Sequence, residues 1–234
     1  MEYRRYIVQQ GDSIYKIAKN FNVEMTDIIE LNHIKHPDRI YPGQLLLLPV
    51  PEYNESVPTE ITEPNFTYAM WLYEAYAGKD SELSAITTYL YQAVILDKPE
   101  FDALLRPIIY DGMNHLDHLG KALRHLGFDP RYQSFNKGHW VDWRASYLNY
   151  ATDICSMLEL NIKDKAIAHQ HYLDLAHKIP IPEIQQILIQ MAADEERHCQ
   201  CFAEAKNQFC PDCHMPEVPD LHEPYPVEET DSRG

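Results

Sequence analysis

Residues 183–207 read EIQQILIQMAADEERHCQCFAEAKN, and the fold turns on the Glu195-x-x-His198 pair at their centre. Ile179-Pro180-Ile181-Pro182 breaks the helix before this stretch, and the stretch itself predicts a helix over Glu183 to Asn207. Residues three apart share a helix face. A carboxylate and an imidazole on one face are a metal-type donor pair.

Working back along the chain, the same spacing recurs. Glu82 to Gly112 is 30 residues and Glu82 to His115 is 33; Lys165 to Glu195 is 30 and Lys165 to His198 is 33. The flanks agree as well, with Glu82-x-x-Ala85-x-x-x-Tyr89 beside Lys165-x-x-Ala168-x-x-x-Tyr172. Spacing therefore points to an internal duplication. Each copy is a pair of predicted helices. Asp80-Ser81 can cap a helix to Leu96, and Pro99 opens a second from Glu100 to Leu126. Gly127-Phe128-Asp129-Pro130 ends it. A loop of about fifteen residues leads to a third helix from Val141 to His177. Two hairpins joined by one long crossover make the ferritin-like form of a four-helix bundle.

Residues 65–209 resemble the ferritin-like domain, near rubrerythrin, manganese catalase and spore-coat relatives. Ser81-Glu82-Leu83-x-Ala85-Ile86, Leu126-Gly127-x-Asp129-Pro130-Arg131-Tyr132 and Asp194-Glu195-Glu196-x-His198 carry the likeness. The resemblance implies a dinuclear site, with a Glu from the first and third helices and a Glu-x-x-His from the second and fourth. Glu82, His115, Glu195 and His198 match that pattern, whereas Gly112 and Lys165 stand at the two other Glu positions. Three readings follow. Lys165 forms a buried ion pair with Glu82 or Glu195 and no metal binds. Alternatively, Glu82, His115, Glu195 and His198 hold a single ion, for which two carboxylates and two imidazoles suit iron, manganese or zinc. In the third, Asp111, His115 and His118 on one helix face meet His169 in a displaced site.

The first 50 residues predict strand, helix, helix, strand. Tyr6 to Gln9 is a β-type run, Asp12 or Ser13 caps a helix with Ile14, Ile17, Ala18 and Phe21, and Thr26 or Asp27 caps a second. Gln44 to Leu48 is the closing strand. This segment resembles the LysM domain, in Tyr6-x-Val8-x-x-Gly11-Asp12-Ser13, Asn32, Pro42-Gly43-Gln44 and Leu46-x-Leu48-Pro49. The resemblance implies binding of N-acetylglucosamine glycans such as peptidoglycan or chitin. Its groove would have Gly11, Asp12 and Ser13 on one wall and Ile34, Asp38, Arg39 and Ile40 on the other. Gly11 and Asp12 also serve the turn and cap in any such fold, and Ile40 also reads as core.

The expected organisation is multidomain: a small α+β LysM-like domain (1–50), an acidic Pro-rich linker (51–64), an all-α ferritin-like bundle (65–209) and an acidic Pro-rich tail (210–234). The formal charge of −16, from 36 acidic and 20 basic residues, lies largely outside the domains. Residues 49–64 carry −4 and residues 211–234 carry −6. The acidic balance disfavours nucleic acid, which needs clustered Lys and Arg. No stretch is apolar enough to span a membrane. Met1 to Tyr6 lacks the apolar core of a signal peptide, so cytoplasmic synthesis is expected. Five Cys without an export signal argue for free thiols or metal ligands. Cys210-Pro211-Asp212-Cys213-His214 carries a C-x-x-C-H pattern, and Cys199, Cys201, Cys210 and Cys213 are a conceivable zinc or iron set.

Two functions remain in competition. One is a peptidoglycan-binding protein with a degenerate ferritin-like bundle, associated with the spore coat or cortex and self-associating through the bundle. The other is an iron or manganese oxidoreductase of peroxide or oxygen, anchored by the same module.

Overall fold

The computed structural model describes residues 3–21, 23–49 and 64–211. Most of the expected linker and tail, and with them Cys213 and His214, lie outside the described residues.

The N-terminal unit is built from β1 (Tyr3–Ile7), α1 (Ile14–Phe21), α2 (Met25–Leu31) and β2 (Leu45–Pro49). The strands pair antiparallel, with Tyr6 opposite Leu46. Ile14, Ile17, Ala18 and Phe21 recur on one face of α1 and are buried against Val8, Ile28, Leu46 and Leu48. Asn32 fixes α2 to β2. Its amide donates to the carbonyls of Ile28 and Leu47, and its side-chain oxygen accepts from the Leu47 amide. Gly11 and Gly43 have φ of 89° and 87°, which only glycine adopts without strain.

The bundle contains α3 (Phe66–Ala77), α4 (Glu82–Leu96), α5 (Pro99–His125), α6 (Ile154–Lys178) and α7 (Pro182–Phe209). The expected first helix is α4, and a further helix, α3, precedes it across Gly78–Ser81. A Cβ at Gly78 would overlap the Glu74 carboxylate and carbonyl, and the Ser81 hydroxyl caps α4 by accepting from Ser84 N. Pro99 and Pro182 open α5 and α7, where a missing N–H costs nothing.

The third bundle helix does not start at Val141. Residues 133–142 form a hairpin of β3 (Gln133–Asn136) and β4 (His139–Asp142). Its two-residue turn, Lys137-Gly138, has φ of 48° and 86°, the mirror-image turn that matches strand twist. The helix begins at Ile154, where Asp153 accepts from Ser156 N. Trp143 ties the crossover to α4 through an indole N–H bond to Ser84 Oγ of 3.0 Å.

Two apolar clusters fill the bundle. One gathers Leu72, Tyr73, Leu119, Leu123, Ile184 and Leu188. The other gathers Ile86, Leu105, Ile109, Leu158, Ile162 and Phe202. On α5 the first cluster begins at Leu119 and the second ends at Ile109; on α7 they are separated by residues 193–198. A buried polar layer lies between them.

Disulfide Cys155–Cys210 corrects the expectation of free thiols. The two are 55 residues apart in sequence, yet antiparallel packing of α6 and α7 brings their Cα atoms to 5.9 Å. Cys199 and Cys201 are free and buried, and they diverge. The Cys199 thiol contacts the Ile162 carbonyl on α6, and that of Cys201 contacts Asn20 Oδ1 at the end of α1. The Cys199, Cys201 and Cys210 sulfurs therefore do not converge on a metal.

Candidate metal centre and glycan-binding groove

The polar layer of the bundle draws on four helices. Glu82 is the first residue of α4, where a carboxylate suits the positive helix end. His115 comes from α5, Lys165 from α6, and Glu195 and His198 from α7. All five are at most 3% exposed, so each needs a partner within the layer.

Candidate donor atoms of Glu82, His115 and Glu195 lie within 4.8 Å of one another. His115 Nδ1 is 3.2 Å from Glu82 Oε1 and 3.3 Å from Glu195 Oε1. His198 Nδ1 is 3.6 Å from the same Glu195 oxygen. The outward nitrogens are held by carboxylates of the opposite helix. His115 Nε2 is 3.3 Å from Asp194 Oδ2, and His198 Nε2 is 3.1 Å from Asp111 Oδ2. Both aspartates sit one residue before the duplicated ligand position, so the crossing repeats the internal symmetry. An imidazole donating Nε2–H to a carboxylate presents its Nδ1 lone pair inward. Arg197 closes the arrangement, with Nη2 donating to Asp111 Oδ2 and Asp194 Oδ1, each at 2.8 Å. Its Nη1 reaches the Asn20 carbonyl of the N-terminal unit.

Burial pushes the two aspartates up, but His198 and Arg197 outweigh it at Asp111, and His115 and Arg197 do so at Asp194. Both carboxyls are held below the ordinary aspartate range. Glu195 is likewise held well down against its burial, mainly by the Lys165 ammonium and then by the two imidazoles. Burial opposes the charge on Lys165, yet Glu195, Tyr89 and Glu82 keep the ammonium above the ordinary lysine range.

Lys165 Nζ lies 2.6 Å from Glu195 Oε2 and 5.4 Å from the centre of the Tyr89 ring. The Lys165 ammonium and the Glu195 carboxylate thus form a buried ion pair. Among the described residues, Glu82 Oε2 has no hydrogen-bond partner, and Glu195 Oε1 has only the two imidazole nitrogens beside it. Tyr172 donates to Glu82 Oε1 at 2.6 Å. At Gly112, Ile86 fills the place of a side chain: an added Cβ would meet Ile86 Cγ1 at 3.0 Å and Glu82 Oε2 at 3.3 Å.

Glu82, His115 and Glu195 form one group of donors close enough together to hold a metal ion. Glu82, Glu195, Asp111 and Asp194 carry four negative charges, against Lys165 and Arg197. The difference equals one divalent ion when the imidazoles are neutral. A second ion would lack the carboxylate at Gly112 and would face the ammonium of Lys165, which has no lone pair. The displaced arrangement does not form, because Asp111 faces His198 and Arg197 while His169 Nδ1 meets the Ala192 carbonyl at 2.8 Å. Periodicity could not reveal Asp111 and Asp194 as partners of the histidines. The signal was their shared place before the duplicated ligand position.

Residues 72–212 match the rubrerythrin family profile, more than half of the chain. The chain belongs to the rubrerythrin family. Residues 6–49 of this rubrerythrin-family chain match the LysM domain. The bundle is similar to a solved manganese catalase from Anabaena, at 25% identity over 69% of this chain and 80% of that one, with a TM-score of 0.56. Two curated proteins are similar over segments as long as the LysM match. A Chlamydia pneumoniae protein of uncharacterised role is 48% identical over 44 residues, and the cortical fragment-lytic enzyme of Bacillus subtilis is 38% identical over 45. The matched segments span only 12% and 10% of those two proteins.

In the LysM domain the expected groove residues divide by role. The Asp12 carboxylate accepts from Tyr6 OH at 2.6 Å and from Gln9 N at 2.7 Å, so it holds the turn after β1. Ser13 Oγ accepts from Lys16 N at the start of α1. On the other wall Ile34 and Ile40 pack on the domain core, while Asp38 and Arg39 are exposed and 3.7 Å apart. The Gly11 carbonyl accepts from Lys16 Nζ and the Ser13 carbonyl from Ile17 N, so among the expected groove residues the Asp38-Arg39 pair is the more exposed.

Proposed function

We propose that this protein is a cell-wall glycan-binding protein whose bundle holds a single iron or manganese ion in place of a two-metal centre. The observation that carries the reading is the Lys165 ammonium, buried and 2.6 Å from Glu195 Oε2 at the place of the third-helix carboxylate. Glu82, His115, Glu195 and His198 would hold the ion, and Asp194 and Asp111 would orient the two imidazoles. A bound iron or manganese ion would supply one-electron redox capacity. The chain's own residues bury the centre, set a carboxylate against the outer nitrogen of each imidazole and hold Glu195 ionised. Lys165 also pins α6 to α7 without metal, which supports a second, purely structural reading.

The LysM domain supplies the anchor, with peptidoglycan or a chitin-like glycan as its target. The likeness to a cortical fragment-lytic enzyme supports the spore cortex or coat as the place. A disulfide persists outside the reducing cytoplasm, which fits that surface better than the cell interior. Elemental analysis of purified protein tests the centre. One ion per chain without peroxide turnover is expected; two ions with turnover would overturn the reading, and none would select the structural one. Retention on insoluble peptidoglycan and a fluorescent fusion followed through sporulation test the anchor.

A further inference from the structure

The LysM domain rests against the bundle, and a cleft of about 430 Å³ runs between them. Its LysM side is formed by the loop 9–13 and by Tyr15, Lys16, Lys19 and Asn20; its bundle side comes from α5 and α7, with Glu100, Glu204 and Gln208. Lys19 and Glu204 pair across it. Ile34, Asp38, Arg39 and Ile40, the far wall of the expected groove, do not line it. Gly11, Asp12 and Ser13, the near wall of the expected groove, thus also line this cleft.

The cleft has the chemistry of a sugar site. Gln10, Glu100 and Gln208 make no side-chain hydrogen bond among the described residues, and all three are exposed. Amide and carboxylate groups both accept from hydroxyls, and the amides also donate. Tyr15 is 62% exposed at the cleft, offering a flat apolar face with a polar tip. Ligand sites prefer such junctions between domains. We infer that a glycan strand held by the LysM domain passes along Gly11–Ser13 and continues into this cleft. The bundle would then supply extra sugar subsites through Glu100 and Gln208. The inference rests on the LysM domain binding an N-acetylglucosamine glycan, and it gives the bundle a part in recognition that needs no metal.

Titration calorimetry of the full chain with chitotriose and chitohexaose tests it. Chitohexaose should bind more tightly than chitotriose. Glu100→Ala and Gln208→Ala should each weaken chitohexaose about twofold to tenfold, the worth of a hydrogen bond, and leave chitotriose unchanged. The Gln208 side-chain amide resonance should shift with the long sugar alone. Both sites are exposed, so neither variant disturbs the core. Unchanged chitohexaose affinity in the double variant, with the Gln208 resonance unmoved, would overturn the cleft and leave the LysM groove standing. If wild-type protein binds neither sugar and no muramidase-released peptidoglycan fragment, the glycan reading fails and takes the cleft with it.

Discussion

Lys165 is the residue on which the chemistry of the bundle turns. Its ammonium neutralises Glu195 where both side chains are buried, and removal of one partner leaves the other charge without its ion pair. Lys165→Met should cost about 3–5 kcal/mol in metal-free protein, read from chemical denaturation. Added manganese should recover part of that loss, because a cation at the centre again partners Glu195. Gly112→Glu with Lys165→Glu restores the family pattern in sequence. Ile86 stands in the way, so a second metal should appear by elemental analysis only when Ile86→Ala is added. Arg197 and the histidines also set the acid response. Asp111 and Asp194 have folded pKa values below those of the unfolded chain, so they contribute stability above about pH 4 and lose it as the pH falls further. Arg197→Gln removes one cause of that depression. Its acid-unfolding midpoint, followed by circular dichroism, should move to higher pH than that of the wild type.

At the scale of elements, α6 and α7 form the longest hairpin and carry the disulfide between the first turn of α6 and the residue after α7. Reduction frees a 55-residue loop in the unfolded chain, and stability should fall by about 2–4 kcal/mol. Denaturant midpoints with and without reductant measure it, and Cys155→Ser with Cys210→Ser should mimic the reduced protein. Helices with Pro at their first turn, α5 and α7, were legible in sequence to within a few residues. The start of α6 was not. Val141 continues an apolar pattern, but Lys137-Gly138 takes two positive φ values and folds residues 133–142 into a hairpin first. The cysteine pair was illegible for a related reason, since its sequence separation says nothing about which helix ends meet.

Across the whole molecule, the N-terminal unit touches the bundle at Lys19–Glu204, at Asn20–Arg197 and along the cleft. Arg197 thus joins the N-terminal unit to Asp111 and Asp194, the aspartates that face His198 and His115. The Lys19–Glu204 pair is partly exposed and worth little on its own, at most about 1 kcal/mol. Lys19→Glu turns it into a repulsion, which should leave both units folded and raise the hydrodynamic radius in sedimentation. The same variant should lose the extra affinity for chitohexaose. By itself the sequence determined the two modules and the bundle type, because helical spacing, a repeated interval and turn residues are local or periodic signals. Set beside the ferritin-like pattern it resembles, it also lacks two of the expected carboxylates, at Gly112 and Lys165. Only the tertiary structure decided that Lys165 pairs with Glu195 rather than Glu82, and that Asp111 and Asp194 cross to the opposite histidines. Only it decided that Ile86 fills the space at Gly112 and that Cys155 meets Cys210. Each of these is a distance between residues on different helices, set by how apolar faces pack rather than by any spacing along one chain segment.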